Sequence, residues 1–221
     1  MSKILLFDVN ETLLDLSPLK SHFKRIFNDA DAMKQWFLTL LHSSLTVTLA
    51  DNYSDFGSLA GAALDIVSQE REVSLVDEDR KAILETIKKL PPHSEVSESL
   101  ERLKSNGFRL FTLTNSPPKT LQAQMENSGL RKYFEDIFSI DDTKKFKPAI
   151  ETYQMAAKKL GVETNEMMMI AAHDWDIAGA INAECQTAFI AREGKFYNSL
   201  YKKPDLSGKD LSKIVDKILN K

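Results

Sequence analysis

Lys3-Ile4-Leu5-Leu6-Phe7-Asp8-Val9-Asn10-Glu11-Thr12-Leu13-Leu14-Asp15 is the stretch from which the fold is read. Its first residues form a short apolar run, the pattern of a strand buried on both faces, and the run stops on an acid followed by a polar turn. In a parallel sheet Asp8 then projects from the carboxyl end of the strand, the edge where open α/β folds bind ligands. The structural alternative is that Asp8 caps the turn or helix that follows, as Asp often does.

After this strand the pattern turns helical from about Ser17 to Leu90. Apolar residues recur at spacings of three and four in Phe23, Ile26 and Phe27, in Met33, Trp36, Phe37, Leu40 and Leu41, and again through Leu59 to Val67 and Ile83 to Ile87. Pro91-Pro92 closes the block, since proline lacks an amide proton and restricts the residue before it. The block reads as a helical cap over residues 16–92, inserted into a core made of residues 1–15 and 93–221. Asp15 to Pro18 and Leu90 to His93 are the connectors.

Beyond the prolines, helix and strand alternate. A helix over Ser97–Asn106 stops at Gly107, and a strand over Phe108–Thr114 runs into Asn115-Ser116-Pro117-Pro118. A helix follows over Lys119–Ser128, then a strand over Ile137–Ile140 and a helix over Ala149–Leu160. Next come a buried strand over Met167–Ala172, a helix over Ile177–Ala183, a strand over Thr187–Ala191 and a last helix over Leu211–Leu219. Arg192 to Lys209 reads as loop. The alternation predicts an α/β fold, a Rossmann-like parallel sheet flanked by helices on both faces.

Composition narrows the function. The 221 residues are 43% hydrophobic and 28% charged, which suits one globular core with a smaller inserted unit. With 29 Lys and Arg against 32 Asp and Glu, the net charge of −3 gives no general basic field for nucleic acid or an anionic membrane. The apolar run after Lys3 is too short for a secretory signal, and no run is long enough to span a membrane. Cys185 is the only cysteine, so no internal disulfide forms and a reduced, cytoplasmic setting is expected.

Three strand ends deliver candidate chemistry to one edge: Asp8, then Thr114 and Asn115, then His173 to Asp176. Lys147, ahead of Pro148 at a helix entrance, joins them. A carboxylate nucleophile can form a covalent ester with carbon or phosphorus. Lys147 would keep Asp8 ionised, and Asp176 would hold Lys147.

The four segments F-D-V-N-E-T-L, L-T-N-S, K-F-K-P and H-D-W-D-I-A-G-A, in that order, resemble the haloacid dehalogenase superfamily and within it the L-2-haloacid dehalogenase (type II) branch. The resemblance covers nearly the whole chain, cap included. It implies Asp8 as nucleophile, Thr12 as a positioning hydroxyl, and Lys147 with Asp176 as the supporting pair. Thr114 and Asn115 would bind the substrate carboxylate or the nucleophile, and Tyr153 matches an active-site tyrosine of that branch. The implied reaction is cofactor-free removal of halide from a short 2-haloalkanoic acid through an aspartyl ester. Its implied partner is that small halogenated acid, and, because related enzymes often pair, the resemblance also implies a homodimer.

Relatives on this fold also hydrolyse phosphate esters, so a Mg²⁺-dependent small-molecule phosphatase is the main alternative. Such members resemble D-x-D, and they commonly carry a further acid four residues before the one matching Asp176. Here Asn10 and Ala172 stand at those positions, which weakens metal-assisted phosphoryl transfer. A ligand-binding protein with little turnover is a further alternative. It is motivated by Phe37, which stands where the branch usually has an arginine that binds substrate and draws off halide. Halide contact then falls to Phe37, Phe56 and Trp175, with core packing the alternative for Phe37 and Phe56, as it is for Trp36. His173 replaces an asparagine of the branch, and it reads either as the base for ester hydrolysis or as a neutral bridge between loops. Glu11 reads as a turn-orienting residue or a substrate contact. His22, His42, His93 and Cys185 lack metal or nucleophile spacing and read as structural.

Overall fold

The computed structural model describes residues 3–220. Residues 1, 2 and 221, which fall in the expected core, lie outside the described residues. Six parallel strands form one sheet: β1 (Ile4–Phe7), β2 (Arg109–Thr114), β3 (Asp136–Ser139), β4 (Met167–Ala171), β5 (Gln186–Ile190) and β6 (Leu206–Gly208). Their order across the sheet is β3-β2-β1-β4-β5-β6. Every residue of β1 and β4 is buried, as continuous apolar strands of a doubly covered sheet require.

The chain moves outward on one side of β1 through β2 and β3, then returns to the other side at β4. That reversal opens a crevice at the carboxyl ends of β1 and β4. Register fixes what faces it: Phe7 pairs with Thr112 and Ile170, and the Asp8 N–H still donates to the Ile170 carbonyl at 3.1 Å. Asp8 and the residues following β4 therefore stand side by side.

Helices α1 (Leu19–Phe27), α2 (Ala32–Leu49), α3 (Phe56–Glu70) and α4 (Asp77–Ile87) occupy the stretch between β1 and β2, and pack on one another. Asp55 starts α3 by accepting from the N–H groups of Gly57 and Ser58. The two connectors run alongside each other, with the Asp15 N–H donating to the Pro91 carbonyl at 2.8 Å and the His93 N–H to the Leu13 carbonyl at 3.0 Å. The remaining helices are α5 (Val96–Ser105), α6 (Pro118–Asn127), α7 (Ile150–Leu160), α8 (Asp174–Asn182) and α9 (Leu211–Leu219).

Two expectations need correction. The segment 192–209 is not all loop, because Leu206–Gly208 adds the outermost strand beside β5. Three residues with one buried side chain leave no alternating signature in the sequence. Helix α8 also begins three residues earlier than expected, at Asp174. Trp175 and Asp176 thus lie in its first turn rather than in a loop, where a carboxylate is favoured by the helix dipole.

Candidate active site

Asp8 is buried at the end of β1, and each of its oxygens has its own partners. Oδ1 accepts from Lys147 Nζ at 3.0 Å. Oδ2 accepts from Thr12 Oγ1 at 2.6 Å and faces His173 Nδ1 at 3.2 Å. Thr12 is aimed by its own acceptor role, because the Ala172 N–H donates to Thr12 Oγ1 at 2.9 Å. Position 172 therefore contributes a backbone donor to the site.

Lys147 is fully buried with three acceptors: Asp8, Asp176 Oδ2 at 2.6 Å and the Leu113 carbonyl at 2.7 Å. Three acceptors for three ammonium protons is full satisfaction, which a buried charge requires. The Lys147 N–H donates to Asn115 Oδ1 at 3.0 Å, which fixes the Asn115 amide and leaves its buried Nδ2 without a partner. Burial alone would raise the Asp8 pKa, but Lys147, His173 and Thr12 together outweigh it and hold the carboxyl well below the usual range. Burial works against the Lys147 charge, and Asp176 and Asp8 reverse that, so its pKa is raised.

His173 lies between two acids, with Nε2 at 2.9 Å from Glu11 Oε2 and Nδ1 toward Asp8. Phe37 from α2 stacks near its ring at 6.0 Å between centroids, and Trp175 at 4.9 Å. Burial pushes the imidazole pKa down, but the bonds to Asp8 and Glu11 win and raise it to about 9. Carboxylates only accept, so both ring nitrogens donate and neither lone pair is free in this state. In the free enzyme His173 thus bridges Asp8 and Glu11.

Other expected contacts are placed as follows. Tyr153 is fully buried, and its hydroxyl lies 2.7 Å from Asp176 Oδ1 and 2.9 Å from the Asp176 carbonyl. It was expected among the substrate-binding residues, but its hydroxyl is engaged by Asp176, so it is placed to hold Asp176. Thr114 is buried and its Oγ1 accepts from the Ser116 N–H at 3.2 Å. Asn10 donates to Ser116 Oγ at 3.0 Å and accepts from Gln124 Nε2 at 2.9 Å, so it is tied to the core at the rim. Trp36 packs in the core, its indole N–H donating to the Ala60 carbonyl at 3.0 Å. His22 bonds Thr86, and Cys185 is buried with its thiol pushed up to about 12 by burial and Asp176.

A cavity of about 500 Å³ lies between the helical block and the sheet edge, lined by Asn10, Trp36, Phe37, Leu40, Phe56 and Ser116 among others. Phe37 and Phe56 thus both reach the cavity, while Phe56 also packs on Phe146. Glu11, read as a turn-orienting residue or a substrate contact, binds His173, and Lys195, with no reading from sequence, lies with its Nζ 2.6 Å from Glu11 Oε2 and 5.8 Å from the Phe37 ring centroid. Lys195 sits in the segment after β5, and only its return beneath α2 brings it to the site. Among the described residues no group of three or more His, Cys, Asp or Glu side chains is arranged to hold a metal ion. The donor set at Asp8 consists of an ammonium, a hydroxyl and an imidazolium, which does not fit Mg²⁺.

A carboxylate held ionised by a buried lysine, at the switch point of a parallel sheet and beneath a helical block, is chemically able to act as a nucleophile. The chain belongs to the haloacid dehalogenase-like hydrolase family, whose model matches residues 2–184. It is 32% identical over 194 residues to (S)-2-haloacid dehalogenase 4A of Burkholderia cepacia, covering 85% of this chain and 82% of that one. With (S)-2-haloacid dehalogenase of Pseudomonas sp. (strain YL) the identity is 26% over 212 residues, covering 95% and 91%. The fold matches L-2-haloacid dehalogenase from Xanthobacter autotrophicus with chloropropionic acid covalently bound, at a TM-score of 0.92, 21% identity and 99% of each chain. No helix among the described residues is long and apolar enough to cross a membrane.

Proposed function

We propose that this hydrolase removes halide from short 2-haloalkanoic acids, with Asp8 as nucleophile and no cofactor. The observation that carries the reading is the division of partners at Asp8: Oδ1 has a single donor, Lys147, while Oδ2 has two in Thr12 and His173. Oδ1 is the oxygen with lone-pair capacity left for carbon. It attacks the halogen-bearing carbon in line, the carbon–halogen bond breaks, and halide leaves with the bonding pair. In-line attack inverts the carbon, so an L-substrate gives the D-hydroxy acid.

Water then adds to the Asp8 carboxyl carbon of the ester. The negative charge that develops on Oδ2 meets Thr12 Oγ1, already oriented by the Ala172 N–H, with the Lys147 ammonium beside it. Asn115 Nδ2 is the free donor suited to the substrate carboxylate, and Phe37, which stacks near His173 and also lines the cavity, offers apolar surface for the alkyl and halogen parts. Names of the relatives support the substrate class. The helical block serves as the cap of this reading, and a catalytic core of 1–15 and 93–221 beneath it is part of the same proposal.

The test is halide release from 2-chloro- or 2-bromopropionate in EDTA, set beside phosphate release from phosphate esters with Mg²⁺. Halide release unaffected by EDTA is expected. Phosphate release only with Mg²⁺ contradicts the proposal, as does ligand binding with no turnover on either panel.

A further inference from the structure

Glu11 combines two features that ordinary turn residues do not share. Its backbone sits at φ 60°, the left-handed region that favours glycine. Its side chain turns inward and is shared between His173 Nε2 at 2.9 Å and Lys195 Nζ at 2.6 Å. A costly backbone conformation is thus kept together with a carboxylate lodged behind the imidazole that touches Asp8.

We propose that Glu11 is a positioning residue for ester hydrolysis: by holding Nε2–H of His173 it directs Nδ1 at Asp8, where Nδ1 becomes the acceptor for the attacking water's proton. The inference rests on the dehalogenase reading above. Trp175 stacks on the imidazole at 4.9 Å and Phe37 lies near it at 6.0 Å, while the Glu11 bond to Nε2 leaves Nδ1 toward Asp8. Base, orienting carboxylate and reacting carbonyl then follow the order used by other hydrolases in which an acid fixes a histidine tautomer.

The groups facing the imidazole are few. Asp8 comes from the end of β1 and Glu11 from the turn after it, α2 supplies Phe37, and α8 supplies Trp175. Lys195 reaches the ring only through Glu11, and Lys147 only through Asp8. Before reaction two carboxylates keep the ring doubly protonated. Alkylation of Asp8 removes one of those charges, while burial and Glu11 remain. Nδ1 then loses its proton to solvent, and the ring is neutral with Nε2–H on Glu11.

The balance of the cycle follows. Water forms a bond to the Asp8 carboxyl carbon and gives one proton to Nδ1, as the carbonyl pair moves onto Oδ2. The intermediate collapses, the bond between the carboxyl carbon and Oδ1 breaks, and the departing alkoxide takes the Nδ1 proton to become the 2-hydroxy acid. Asp8 is left as a carboxylic acid that passes its proton to Nδ1. The resting ion pair is restored, and one proton and one halide are released per turnover.

Rapid-quench kinetics with 2-bromopropionate test this in Glu11→Gln and in Glu11→Gly, the second of which takes the left-handed backbone without strain. The expected result is a halide burst near one equivalent per active site, followed by ester hydrolysis slowed about a hundredfold. The acid limb of the hydrolysis step should also move to lower pH, because removing the Glu11 charge makes the imidazole easier to deprotonate. Hydrolysis with the rate and acid limb of the unaltered chain overturns the assignment, and so does equal loss of burst and hydrolysis with an unchanged pH profile. Absence of halide release from the unaltered chain would instead remove the dehalogenase reading itself.

Discussion

The Lys147 ammonium stands 3.0 Å from Asp8 Oδ1 with its own side chain wholly buried and that of Asp8 only 6% exposed. A cation in such a place is stable only with its acids, and each acid only with it. Lys147→Met should therefore destabilise the protein by about 3–5 kcal/mol as well as abolish halide release. Urea unfolding measures the first. The Asp8 pKa is depressed in the fold, so its stability contribution is present above about 3.8 and is lost as pH falls toward its folded value. That acid-side loss should flatten in the variant, and an unchanged acid profile would contradict the pairing.

His173 titrates in the opposite sense. Its folded pKa of about 9 lies above the ordinary 6.5, so the stability it lends is complete below 6.5 and is lost as pH rises through 9. NMR of the imidazole should show a titration near 9 in the free enzyme, and His173→Asn should remove the corresponding decline in stability. A titration near 6.5 would mean that the two carboxylates do not share the ring.

Tyr153 reaches the chemistry only through Asp176. Tyr153→Phe should lower kcat by a few-fold with little change in KM, and cost about 0.5–1.5 kcal/mol in stability. A large rise in KM at constant kcat would place the hydroxyl against substrate instead.

Gly179 controls the same corner by its lack of a side chain. A Cβ there would lie 2.5 Å from Pro148 Cβ, 2.7 Å from the Pro148 carbonyl oxygen and 2.7 Å from the Tyr153 hydroxyl. Gly179→Ala should displace the residue next to Lys147, destabilise by about 1–3 kcal/mol or more, and reduce turnover. Wild-type unfolding and activity would show that α8 does not press on this corner.

Much of this was legible in the sequence because strand ends announce themselves. Asp8, Thr114-Asn115 and His173 each terminate an apolar run, and the helix–strand alternation places those ends on one edge. Lys147 was findable because a lysine before proline at a helix entrance is a fixed point of the chain. The choice between the two readings of Glu11, and any role for Lys195, was not legible, since their pairing spans most of the chain and nothing local marks it. The place of Tyr153 in α7 was legible, but not that its hydroxyl bonds Asp176, because that contact joins α7 to α8. The strand Leu206–Gly208 was missed because three residues carry too little periodicity.

The central claim is that Asp8 becomes esterified. Intact-protein and peptide mass spectrometry after a brief reaction with 2-bromopropionate, in the unaltered chain and in the slowed Glu11→Gln variant, should find the acid's carbon skeleton attached to Asp8 and should find none in Asp8→Asn. An adduct on another residue, or halide release undiminished in Asp8→Asn, would contradict it.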